Sequence, residues 1–196
     1  MAGKTRVPKA QITGMYGGLM KRMSRKMLGQ VPESLEVMWH NPTVLKQMLG
    51  FGRKVERWDR LDPSLSTFAA MAAAAEVGCS FCLDLNYFMA RNRDVDETKV
   101  REVPRWRESD AFSPLERSVM AYAEAASQTP PAVTDELSNG LLAELGPAAL
   151  VELAARVGFM NMSARMNIAL GIHSEEFALA CGLPPLAERS ALSGAA

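Results

Sequence analysis

Prolines frame this chain. Pro32, Pro42, Pro63 and Pro114 each open a segment whose apolar residues follow helical spacing. In a first helical turn a missing amide hydrogen costs nothing, because that turn offers it no partner. Glycines close two of the segments: Gly78 follows "DPSLSTFAAMAAAAEV" and Gly171 ends "GPAALVELAARVGFMNMSARMNIALG", as left-handed residues do at helix ends. The start signals agree. Asp62 caps before Pro63, Ser113 caps before Pro114 with Glu116 three residues on, and Thr134 stands just before an acid. "VPESLEVMWHN" reads as a short helix, and "PTVLKQMLGFGRKVERW" as a longer one with Val44, Leu45, Met48, Leu49 and Val55 on its apolar side. A further helix is expected over about 79–93. No stretch alternates apolar and polar residues as a half-buried strand does. The alanine run ahead of Gly78 has little side-chain volume, so its neighbours can approach closely. The expected fold is a single all-α helical bundle over 31–190, preceded by a basic, helical arm at 1–30 and followed by a flexible tail at 191–196.

Charge is unevenly spread. The net charge is zero, yet residues 1–32 carry seven basic side chains and no acid. A basic arm fits nucleic acid or anionic lipid, but a nucleic-acid reader needs stacking aromatics, and this arm offers Tyr16 alone. Ile12, Met15, Tyr16, Leu19, Met23 and Met27 follow helical spacing and are expected to bury against the domain or a neighbouring subunit. No apolar run approaches the roughly 20 residues a membrane span needs. The basic N-terminus lacks a secretory apolar core, so a cytoplasmic location is expected, with no nucleic-acid partner.

Chemistry concentrates in "EVGCSFCLDLNYF". Cys79 and Cys82, three apart at a helix N-terminus, share one face, and the unpaired amides there favour a thiolate. Three cysteines do not make a disulfide framework. Zinc needs further ligands, and the other candidates, Cys181, His40 and His173, are distant in sequence; no metal and no cofactor are expected. Two readings stay open on these residues alone: a working dithiol, or two buried apolar cysteines. His40 is expected at a helix boundary, His173 at a helix C-terminus, and Cys181 as a small apolar residue. Glu76 sits three residues before Cys79. Asp84, two after Cys82, faces another way. In "VPRWRESDAF" the Trp106 indole is expected to anchor a loop, with Arg105 and Arg107 paired to Glu102, Glu108 or Asp110.

"CSFCLDLNYFMA" after an alanine-rich helix, then "FSPLERSVMAYAEAASQTPPAVTDELSNGLLAEL" and "ELAARVGFMNMSARMNIALGI", resemble the carboxymuconolactone decarboxylase and alkylhydroperoxidase D-like family over about 35–175. The resemblance implies an all-helical fold and homo-oligomers, trimers, hexamers or related. It also implies a redox site written as Glu, eleven residues, Cys-x-x-Cys, three residues, His. There Cys82 attacks peroxide and Cys79 resolves it as a disulfide, while the Glu and His relay protons. This sequence has Thr67 and Asn86 at the relay positions. Neither side chain accepts a proton near neutral pH, and general-base help is commonly worth about 10²–10⁴ in rate. Glu76 and Glu124 are the candidate substitutes, Glu124 lying on a helix that packs near the site in family members. The expected activity is thus a thiol-dependent, peroxidase-like oxidoreductase served by a thiol reductant, slowed by loss of the relay. Two alternatives follow from the same family. One is a decarboxylase-like lyase on a small organic acid, with Thr67, Asn86 and Arg165 as substrate contacts. The other is a non-catalytic redox adaptor docking through its basic arm.

Overall fold

Helix α4 is the axis around which the chain is wound. The computed structural model describes residues 5–188, so the tail at 191–196 lies outside the described residues. The elements run α1 (Gly14–Leu28), α2 (Glu33–Met38), α3 (Pro42–Val55), α4 (Pro63–Val77), α5 (Ser80–Ala90), α6 (Glu97–Glu102), a 3-10 turn (Val103–Glu108), α7 (Pro114–Ser127), α8 (Asp135–Leu170) and α9 (Phe177–Ala180). No strand occurs among the described residues. α4 packs against α5, α7, α8 and the 3-10 turn, which requires burial on nearly all sides. Its alanines make that possible: Ala69, Ala72, Ala73 and Ala74 are fully buried together with Phe68 and Met71. Phe68 meets Phe112 edge-on at 5.6 Å between ring centroids.

The helix starts use the expected caps. Asp62 accepts from the amides of Ser64 and Leu65, Ser113 and Glu116 close a reciprocal capping box, and Thr134 accepts from Leu137 N. Gly146, at φ 77°, bends α8 just before Pro147, so the two segments read separately in the sequence form one kinked helix. Elements α6, the 3-10 turn and α9 carry weak periodicity and are short, so they escape a reading by apolar spacing. Glu116 also takes Lys99 Nζ at 2.8 Å on both oxygens. Burial works to raise the Glu116 carboxyl, but the bonds from Lys99 and from Ser113 hold it below the ordinary carboxylate range.

The N-terminal arm meets its expectation in part. α1 packs through Met20, beside Ile12, Leu35 and Leu45, in a small cluster separate from the main core. Gly17 lets this happen, since a Cβ there would meet Ile12 at 2.8 Å and Trp39 at 3.0 Å. Met15, 96% exposed, and Leu19, Met23 and Met27 lie on the open side of the helix. Of the expected stripe, Ile12 buries and Tyr16 half-buries on Trp39 in this cluster, while Gly17 and Ser24 take the remaining inward places beside Met20. The arm is tied down by polar contacts instead. Arg6 donates to the carbonyls of Ile168 and Ala169, its amide bonds Leu170 O at 2.9 Å, and Lys9 pairs with Glu33 and Glu36.

Two measurements follow. Ala72→Leu overfills the most crowded part of the core and should lower the unfolding free energy by about 1–3 kcal/mol in urea titration. Glu116→Gln removes a hydrogen bond to a charged group and should cost about 1–2 kcal/mol near neutral pH. Because the native Glu116 pKa lies below its unfolded value, its contribution is complete above the ordinary carboxylate range. It is lost as pH falls through the depressed value, so the wild-type and Glu116→Gln stability curves should converge in acid.

Candidate functional site

The site begins with the end of α4. Gly78, at φ 82°, takes the left-handed conformation and closes the helix with bonds to the carbonyls of Ala74 and Ala75. Cys79 N then returns to Ala74 O at 2.9 Å. A residue with a Cβ is strained at this φ, so the glycine allows one helix to stop and the next to start within two residues. Cys79 thereby becomes the N-cap of α5, and its sulfur accepts the amide of Cys82 at 3.2 Å. Cys79 and Cys82 are joined as a disulfide with Cα atoms 5.3 Å apart. Both are buried, at 1% and 4% exposure.

A second donor reaches the pair from α8. Asn167 Nδ2 donates to Cys82 Sγ at 3.4 Å, and Asn167 is itself buried. The sequence reading missed this residue. Its signal was there: Val157, Met160, Ala164 and Asn167 share the inward face of α8, and a polar side chain on an otherwise apolar face asks for a partner.

The relay positions are occupied differently. Asn86 Nδ2 donates to Cys82 O at 2.8 Å, so the amide serves the backbone of its own helix. The fully buried Thr67 donates to Pro63 O at 2.9 Å and accepts from Arg93 Nη1 at 3.4 Å. Arg93 in turn pairs with Glu56 at 2.7 Å. Glu124 is buried and engaged: Trp106 Nε1 donates to one oxygen at 2.7 Å and the Arg107 guanidinium to the other at 2.7 Å. That pairing differs from the acid expected for Arg107, while Arg105 does pair with Glu102. Glu76 and Arg165 line an open cleft of about 620 Å³ with Ser127, Thr129 and Pro130. Arg165 there donates to Ser127 O at 2.8 Å and to Thr129 Oγ1 at 3.0 Å. A second cleft of about 370 Å³ borders the far end of α5 at Tyr87 and Arg91. Neither cleft is lined by a cysteine.

The rest of α5 is strapped from outside. Ser174 N donates to Ser80 Oγ, Asp84 accepts from Ser174 Oγ, Phe177 N and Ala178 N, and Tyr87 donates to Pro184 O. Asp84 does face away from the dithiol, and this strap is what it faces. Cys181 is free and exposed in the same segment, where its carbonyl accepts from Arg91. His40 is exposed and bonds Pro8 O through Nε2 at 2.8 Å; His173 is exposed beside Ser174. Among the described residues no group of three or more His, Cys, Asp or Glu side chains is placed to hold a metal ion. Nor is any helix among them long and apolar enough to cross a membrane.

The carboxymuconolactone decarboxylase family model matches residues 42–125, which contain α3 through most of α7 and the dithiol. The uncharacterized protein YnjA of Escherichia coli is 39% identical over 115 residues, 59% of this chain and 63% of that one. The uncharacterized protein YdfG of Bacillus subtilis is 28% identical over 95 residues, 48% of this chain and 65% of that one. The chain thus spans a little under two thirds of the length of each of these relatives. Among solved structures, the debrominase Bmp8 superposes with a TM-score of 0.77 at 23% identity, covering 90% of this chain and 96% of its own. The alkylhydroperoxidase D core of a peroxidase-related protein from Ralstonia eutropha superposes with a TM-score of 0.76 at 16% identity, covering 89% and 95%. At these identities the two structures speak for the fold. The dithiol at the head of α5 thus lies inside the segment that matches the carboxymuconolactone decarboxylase family model, and the chain shares the all-helical fold of these alkylhydroperoxidase D-like structures.

Proposed function

We propose that the chain is a thiol-dependent oxidoreductase whose Cys79–Cys82 pair cycles between dithiol and disulfide. The observation that carries the reading is the placement of the pair. Two sulfurs sit close enough to bond at a helix N-terminus, where unpaired amides favour negative charge on sulfur. In the reduced state Cys82 attacks the oxidant. With a hydroperoxide, an S–O bond forms, the O–O bond breaks, Cys82 becomes a sulfenic acid and the other oxygen leaves as alkoxide or hydroxide, taking a proton from solvent to give an alcohol or water. Cys79 then attacks the Cys82 sulfur, forming the disulfide and releasing water. A thiol reductant restores both thiols by exchange. Since Asn86 and Thr67 are bonded to main-chain carbonyls and neither is a base, the peroxide step lacks the relay and is expected to be slow.

Support for a wider substrate range comes from Bmp8, a debrominase solved as a cysteine-to-alanine variant with 2,3,4-tribromopyrrole. A halogenated heteroaromatic therefore belongs in the panel of oxidants. The lyase reading rests on Arg165 in its open cleft with Glu76, and it makes turnover independent of either cysteine. The reading also includes a homo-oligomer, supported by the exposed stripe Met15, Leu19, Met23 and Met27 on the basic arm.

The cysteine variants separate these readings. Cys82→Ser should abolish oxidant-driven turnover. Cys79→Ser should still be oxidised once but stop there, with Cys82 carrying the oxidant's adduct in the intact mass. Turnover in Cys82→Ser equal to wild type would refute the dithiol reading.

A further inference from the structure

Two hydrogen bonds reach the sulfurs, and their chemistry is the same. Cys82 N–H donates to Cys79, and the Asn167 amide donates to Cys82. Neither donor titrates between acid and strongly basic pH. A donor that always keeps its proton stabilises negative charge on sulfur and hands no proton on. That distinction sorts the possible acceptors. Cleaving a hydroperoxide expels hydroxide or alkoxide, strongly basic anions that need a proton as they leave. Cleaving an organic disulfide expels a thiolate, whose conjugate acid has a pKa of about 8.5 and which departs without one.

We propose that Asn167 holds the Cys82 sulfur as a thiolate in place of the missing relay, and that the pair in consequence reduces low-molecular-weight disulfides in preference to hydroperoxides. The proposal rests on the dithiol reading above and names its acceptor. The Cys82 thiolate attacks one sulfur of the acceptor, a mixed disulfide forms, the acceptor's S–S bond breaks and its second sulfur leaves as thiolate. Cys79 then attacks the Cys82 sulfur, the mixed disulfide's S–S bond breaks, and the Cys79–Cys82 disulfide forms with release of the second thiolate; the one proton of the reduced pair, on Cys79, goes to solvent or to a released thiolate. Two electrons pass from the pair to the acceptor. Near-complete burial of both sulfurs restricts the acceptor to a small molecule.

Asn167 is well fixed for this role. It lies in the last turn of α8, where Gly171 N and Ile172 N both return to the closing carbonyls and Ile172 N bonds Asn167 O at 2.9 Å. Arg6 ties down the adjacent carbonyls of Ile168 and Ala169. The charged and titratable groups around the pair are committed elsewhere. On α5, Asp84 takes the strap and Tyr87 donates to Pro184 O. At the end of α4, Glu76 lines the cleft that holds Arg165 of α8. Farther along α8, Glu152 pairs with Arg156, and on α6 Lys99 pairs with Glu116. On the strap beside the Ser80 contact, Glu175 accepts from Glu33 N and Gln30 Nε2, and Glu176 and His173 are exposed.

The experiment uses the reduced full chain in a Cys181→Ser background, with stopped-flow rates against 2-hydroxyethyl disulfide and against hydrogen peroxide. Dithiothreitol under the same conditions is the reference. The disulfide should react at least about tenfold faster than with dithiothreitol, and peroxide within a few-fold of it. Asn167→Leu should lower the disulfide rate at pH 6.5 by about tenfold, the worth of one hydrogen bond to a charged sulfur, and move the pH profile to higher pH. Asn167→Ala, which lacks the donor and adds no charge, should do the same if the leucine variant does not fold. His173→Ala should leave the profile in place. Peroxide accelerated above the disulfide, or a profile unmoved in a folded Asn167 variant, or one that follows His173, overturns the proposal and leaves the dithiol reading standing. No Cys79–Cys82 disulfide with either oxidant overturns both.

Discussion

The left-handed turn at Gly78 is the constraint from which the site follows. α4 is buried on nearly every side and ends two residues beyond its alanines, at Val77. Because Gly78 can turn the chain there at φ 82°, α5 starts at once and Cys79 falls on its N-cap. Both cysteines then share the one place on a helix where backbone amides lack partners and stabilise an anion. A β-carbon at residue 78 would strain this turn, and with it the register that brings Cys79 and Cys82 within 5.3 Å at their Cα atoms.

Two further elements hold the pair from opposite directions. α8 brings the Asn167 amide to Cys82 from within the core. The segment after α8 fastens the outer face of α5 at Ser80, Asp84, Tyr87 and Arg91, roughly one contact per turn. Phe81 and Phe177 add an edge-on ring contact at 6.0 Å between the same two segments. The dithiol helix is therefore gripped along its length, which fixes the direction of the sulfurs without placing a charged group on them. The buried carboxylate Glu124 plays a different part. It anchors the 3-10 turn through Trp106 and Arg107.

What the sequence revealed and what it hid have one physical origin. Caps act within four residues, so Asp62, Ser113, Thr134 and the ending glycines were legible and placed most helices and the dithiol. Asn167 lies 85 residues from Cys82, and nothing local states that two helix faces will meet there. The same holds for Asp84, whose partners begin at Ser174. Spacing puts Thr67 and Asn86 at the positions where the resemblance expects the relay, but nothing local states that they bond main-chain carbonyls. The stripe on α1 was legible in part: helical spacing says that one face is apolar without saying which of its residues meet the domain, and Gly17, a residue with no side chain, is what lets Ile12 and Trp39 approach.

The most direct test of the account is the reduction potential of the Cys79–Cys82 pair, measured by equilibration against glutathione redox buffers with thiol quantitation by mass. Donors that stabilise the thiolate favour the reduced form, so the potential should lie in the range of working dithiols, about −180 to −270 mV. A value below about −300 mV, where structural disulfides fall, would contradict it and make the pair a staple of the fold.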